Sequence, residues 1–190
     1  MPTTAIGKDL NYGYAGKVSR NPLNKITARF VKSILNSSNV ETLSNILFGA
    51  PVVLNTDGTV SLWGDSGTGV SSATAANFGG IAVAEVQQTF SYSLGAGGGS
   101  SAGYYSPAQP ADILNSGSAV VKCTEGTPTA GGAVYVVTVA GTTAAVGDFV
   151  ATSTPAGSGT SVQLTNCSWT TGKIDSNNVC ELTIRYASNV

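Results

Sequence analysis

Histidine is absent from the 190-residue chain. Its absence removes Ser–His and Cys–His nucleophilic pairs and every metal centre built on imidazole. Charge is scarce as well. Asp, Glu, Lys and Arg make up 10% of the residues, against about 25% in an ordinary soluble domain. A surface with so little charge has little electrostatic repulsion to keep copies apart, which suits a chain that assembles. No run approaches the roughly 18 apolar residues of a membrane-spanning helix, and no membrane partner is expected. The N-terminal stretch MPTTAIGKDLNYGYAGKVSRN lacks the apolar block of a secretory signal, so synthesis in a reducing cytoplasm is expected. The three cysteines, Cys123, Cys167 and Cys180, are an odd number and argue against a fully paired disulfide framework. They read as free thiols acting as small hydrophobes, with a Cys167–Cys180 bridge as the alternative.

What is present begins with an uneven distribution of charge. Residues 1–32 hold Lys8, Lys17, Arg20, Lys25, Arg29 and Lys32 against Asp9, a net +5, whereas residues 33–190 hold three cations against nine acids, a net −6. A basic segment on a mildly acidic body points to an acidic surface as its partner. The chain therefore divides into a basic extended N-terminal arm, 1–32, and a single β-rich body, 33–190. Tyr12, Tyr14, Lys17, Arg20, Lys25, Arg29 and Lys32 are the candidate contacts with a neighbouring subunit. The arm lacks the basic density and Arg–aromatic interleaving of a committed nucleic-acid binder, so a protein neighbour is the favoured reading.

The body reads as a mainly β fold. Residues 26–35 fit both a strand and a helical stripe, and their β-branched content favours the strand. Residues 39–47 suggest one short helix with Asn39 as its cap. PVVL (51–54) and TVSLW (59–63) flank Asn55-Thr56-Asp57-Gly58 and read as a β-hairpin. Residues 64–80 read as a loop, 81–90 as a strand and 94–103 as a glycine-rich loop. Further strands are expected from about Ala111 and over 118–124, 133–139 and 148–153. In the last element Cys180, Leu182, Ile184 and Tyr186 alternate with Glu181, Thr183 and Arg185, the pattern of a strand with its apolar side inward. Short strands separated by turn residues indicate a small β-barrel or sandwich of antiparallel strands, with at most one short helix.

Motifs with chemical associations carry little here. GDSGTG at 64–69 resembles a serine-protease nucleophile loop, but there is no histidine to accept the serine proton. GAGGGS at 95–100 has dinucleotide-type glycine spacing, yet SAGYYSP follows it where a helix would have to begin. The ten acids form no recognisable glycosidase or calcium constellation. The chain is read as non-enzymatic, with no cofactor. Trp63, Trp169, Tyr104 and Tyr105 are read as core or subunit-interface aromatics. The alternative makes them sugar-stacking platforms of a fibre or lectin-like module that binds a host surface.

FGAPVVLNTDGTVSLW (48–63), FGGIAVAEVQQTFSYS (78–93), YYSPAQPADILNSGSAVVKC (104–123), PTAGGAVYVV and AVGDFVATS (128–153), and VCELTIRY (179–186) share a pattern of turns and strand starts. This pattern resembles the structural cement proteins of tailed-bacteriophage heads, also called decoration or stabilising proteins. The resemblance covers about residues 46–188. It implies trimers on the outer head surface, seated between capsomers, with the major capsid protein and further copies of the chain as partners. It carries over no catalytic residues.

Overall fold

The computed structural model describes residues 12–19, 23–84 and 103–186. Eleven strands make up almost all of its regular structure: β1 (Lys25–Phe30), β2 (Ile46–Leu47), β3 (Pro51–Leu54), β4 (Val60–Leu62), β5 (Phe78–Ala82), β6 (Tyr104–Tyr105), β7 (Pro110–Glu125), β8 (Ala133–Val139), β9 (Phe149–Val150), β10 (Thr160–Trp169) and β11 (Val179–Ile184). Among the described residues the one helical element is a 3₁₀ turn, Ala75–Asn77.

The 16-residue strand β7 organises the molecule. Its C-terminal half closes a five-stranded barrel in the order β7, β9, β8, β10, β11 and back to β7. Its N-terminal half belongs to a second sheet, in which β1 and β5 both pair with β7 and β5 continues to β3 and β4. A parallel bridge between Val31, just after β1, and Val60 in β4 brings the two ends of that sheet together. The sequence suggests two strands where β7 is continuous, because the polar run Asn115-Ser116-Gly117-Ser118 interrupts its apolar residues. Ala111 and Ile113 face a core with Val31, Ile46, Val52, Val60 and Ala82. Ala119, Val121 and Cys123 face the main core with Trp63, Phe78, Val136, Phe149, Leu164, Trp169, Cys180, Leu182 and Ile184. The pairing register with β1 shifts at Lys25 and Ile26, opposite Ser116 and Leu114, as expected of a β-bulge. The extra residue turns the faces of the strand over. Gly117 next to it has φ +121, and a Cβ there would lie 2.0 Å from Asn24 Oδ1.

The hairpin forms as its residues suggest. Asn55 N–H donates to Thr59 O at 2.9 Å, Gly58 takes φ +81, and Asp57 Oδ1 accepts from Thr59 N at 3.1 Å. Strand β1 covers the first half of 26–35 and starts one residue earlier, β8 coincides with 133–139 and β9 lies inside 148–153. Of the expected strand 81–90, Ile81 and Ala82 form the end of β5, Val83 and Ala84 lie beyond it, and residues 85–90 lie outside the described residues. The glycine-rich stretch 94–103 lies outside the described residues except for Gly103.

The helix expected over 39–47 is not there. Asn36 and Val40 close a reversal by an N–H to O=C bond of 2.9 Å, with Asn39 left-handed at φ +56. Asn36 Oδ1 accepts from Ser38 N and Val40 N, and Glu41 Oε1 accepts from Ile34, Thr42 and Leu43 N. Polar side chains that capture backbone N–H groups locally compete with the helix for the same donors.

Candidate attachment surface

The described part of the N-terminal segment is bonded to the body. Gly16 N–H donates to Val120 O at 2.7 Å, Val120 N–H to Lys17 O at 2.9 Å and Ser19 N–H to Ser118 O at 2.7 Å. Val18 stands opposite Ala119 in an antiparallel bridge, and Lys25 stands opposite Ser116 at the start of β1. The basic segment therefore follows β7 antiparallel on both sides of residues 20–22.

Two glycines set how closely this segment approaches. A Cβ on Gly16 would fall 2.5 Å from Phe48 Cβ, and one on Gly49 would fall 2.7 Å from Ala15 Cβ. Both residues have positive φ, +87 and +83, so a side chain at either would meet strain as well as a clash. Ala84 N–H completes the contact by donating to Gly16 O at 3.0 Å.

The seven candidate contact residues have different surroundings. Tyr12 is half-buried; its hydroxyl lies 2.9 Å from Thr171 Oγ1 and its N–H donates to Asp175 Oδ2 at 3.3 Å. Tyr14, Lys17 and Lys25 are exposed. Arg20 lies outside the described residues. Arg29 and Lys32 both meet the β3–β4 turn, Arg29 Nη1 donating to Gly58 O at 3.1 Å and Lys32 Nζ lying 2.5 Å from Asp57 Oδ2. The Lys32 ammonium, followed by the Thr59 hydroxyl, holds the Asp57 carboxyl well below the usual carboxylate range. The structure thus places Tyr12, Tyr14 and Lys17 beside the barrel and Lys25, Arg29 and Lys32 along the second sheet.

Sequence patterning missed Glu181. Its place in the β11 alternation marks it as a solvent-facing residue, yet it is only 5% exposed. Ser19 Oγ–H donates to its Oε1. The signal was present only as the charge contrast between segment and body, which names no residue.

The aromatic residues divide clearly. Trp63 and Trp169 are each 1% exposed and pack in the main core, so neither can stack on a sugar. Tyr105 is half-buried, stacks edge-on with Phe48 at 5.0 Å between ring centroids and donates its hydroxyl to Val83 O at 2.6 Å. Burial raises its phenol to about 12. All three cysteines are buried free thiols. Burial pushes Cys167 up to about 12, and Cys180 is raised by the adjoining Cys123 thiol and by burial.

In the GDSGTG loop, Asp65 Oδ2 accepts from Ser44 N at 3.1 Å, and burial raises its carboxyl above the usual range. It ties this loop to the chain before β2. Among the described residues no three Asp, Glu or Cys side chains converge as a metal site, and no helix is long and apolar enough to cross a membrane.

The class defined by this architecture is the small β-barrel protein with an added sheet on a shared strand. A chain of the structure described as "The capsid of Myoviridae Phage XM1" has a similar fold, with a TM-score of 0.61 and 18% identity over 98% of this chain and 99% of that one. The family is shown by the sequence. The model described as "Structural cement protein (E217 gp24/Pam3 gp6)" matches residues 1–185, and the chain belongs to this family of phage structural proteins. Its role is a structural one in the virion. No sequence among curated proteins matches it.

Proposed function

We propose that this chain is a non-enzymatic cement protein that decorates the outer surface of a phage capsid and bridges neighbouring major capsid subunits as a homotrimer. The family match over residues 1–185 carries this reading. The physical character of the chain agrees with it. Weak contacts repeated over a shell become strong together, and a chain with 10% charged residues presents a surface of hydrogen-bonding side chains and backbone edges to a neighbour. In this reading the basic segment 1–32 faces that neighbour, the chain is made in the host cytoplasm, and neither nucleic acid nor membrane is a specific partner.

The test is the mass of the purified protein in solution, followed by sedimentation with empty heads. The expected result is a trimer that travels with the heads. A monomer that stays in the supernatant would sink the reading, and glycan binding would then be the next assay.

A further inference from the structure

Cys180, Leu182 and Ile184 face the main core, so Glu181 between them points to the opposite side of β11. A carboxylate on the outer side of a barrel strand ordinarily sits in water. This one is 5% exposed, and Ser118 and Val120, on the neighbouring stretch of β7, are 6% and 3% exposed. Glu181 stands opposite Val120 in the β7–β11 register, and Val120 exchanges backbone hydrogen bonds with Gly16 and Lys17. The carboxylate thus lies at the seam of β11, β7 and the basic segment, where the Ser19 hydroxyl donates to it. A buried charge left without a donor is costly, and among the described residues the Ser19 hydroxyl is the side-chain donor to it.

The backbone bonds of this segment do not read sequence, so its register is set by what flanks them: Gly16 against Phe48 and Gly49, and Ser19 against Glu181. A one-residue slip would turn Ser19 to the other face, and a two-residue slip would move it away from the carboxylate. We propose that Glu181 is a positioning residue: through Ser19 it fixes the register in which residues 16–19 lie on β7, and so the place from which Lys17 and the adjoining basic chain meet the neighbouring subunit. This inference rests on the cement reading for its partner, and on the geometry alone for the role of Glu181.

Three variants of the full chain test it: Ser19→Ala, Glu181→Leu and Glu181→Gln, the last of which keeps an acceptor oxygen. Amide exchange at Gly16 and Ser19 would be compared with exchange across β8, and each protein sedimented with empty heads. Ser19→Ala and Glu181→Leu are expected to speed exchange at Gly16 and Ser19 by about ten-fold or more, leave β8 unchanged and weaken head binding several-fold, whereas Glu181→Gln stays near wild type. If Glu181→Leu also loosens β8, Ser19→Ala decides. Unchanged exchange at Gly16 and Ser19 would overturn the inference, as would full head binding by a variant whose segment has loosened. A wild-type chain that ignores heads would count against the cement reading instead, and the exchange data would still decide whether Glu181 holds the segment.

Discussion

Among the described residues seven carboxylates accept hydrogen bonds from the chain itself. Glu41 gathers Ser33, Ile34, Thr42 and Leu43; Asp57 takes Lys32 and Thr59; Asp65 takes Ser44; Glu125 takes Thr143 and Ala156; Asp148 takes Ala145; Asp175 takes Tyr12, Asn177 and Val179; Glu181 takes Ser19. The acids brace turns and seams. The Ser33 hydroxyl and three backbone donors lower Glu41 from 4.5 to about 2. A carboxyl depressed on folding contributes stability fully above its unfolded value and loses it as pH falls through the folded one. The turn at 33–43 is therefore expected to loosen between about pH 4.5 and 2, and a side-chain NMR titration of Glu41 with a midpoint above 4 would contradict this. Lys32→Ala removes the ion pair with Asp57, whose side chain is 43% exposed; the expected cost in a urea melt is about 0–1 kcal/mol. The raised thiols of Cys167 and Cys180 predict that these two resist alkylation at pH 8 in native protein and react in urea-unfolded protein, since the thiolate is the reactive form.

At the scale of elements, β7 shows where side-chain pattern and backbone diverge. Gly117 lies where its faces turn over, and Gly117→Ala is expected to cost about 1–3 kcal/mol from positive-φ strain, with added loss from the clash with Asn24. An unchanged melting temperature would refute that account. Strands with steady alternation were legible: β8, β11 and the β3–β4 hairpin all stand where the residues suggest. Strand β10 was not. Its buried residues Leu164, Cys167 and Trp169 are spaced by three and then two, because the β8 register shifts between Gln163 and Ser168, and apart from Val162 the remainder is Ser, Thr, Gln and Asn. Residues 39–47 carried helical spacing, but the capture of N–H groups by Asn36 and Glu41 is a tertiary choice that spacing does not encode. The candidate site was legible as a basic segment, and its partner on the barrel was not. Tyr186, read as inward, is 61% exposed because β11 ends at Ile184.

At the scale of the whole molecule, the barrel and the second sheet share β7 and one continuous main core, since Val53, Trp63, Phe78 and Ile81 pack with Val136, Phe149 and Leu182. The two sheets should therefore unfold in one transition. Leu182→Ala, which empties a fully buried barrel position, is expected to cost about 2–5 kcal/mol and to lower the stability of both sheets together. Separate melting of β3–β5 and β8–β10 in amide exchange would contradict a shared core. Removing residues 1–19 uncovers Glu181 and deletes the bonds to Val120 and Ser118, for an expected loss of about 2–3 kcal/mol read as a lower urea midpoint with the barrel still folded.

Because residues 16–19 and β1 both lie antiparallel along β7, the hydrogen bonds between them stand across the strand direction. Tension applied to the N-terminal end along that direction loads those bonds together in shear and does not peel them one at a time. Force on the segment is passed to β7, and through β7 to both sheets at once, so the chain resists a sustained pull as a single mechanical unit.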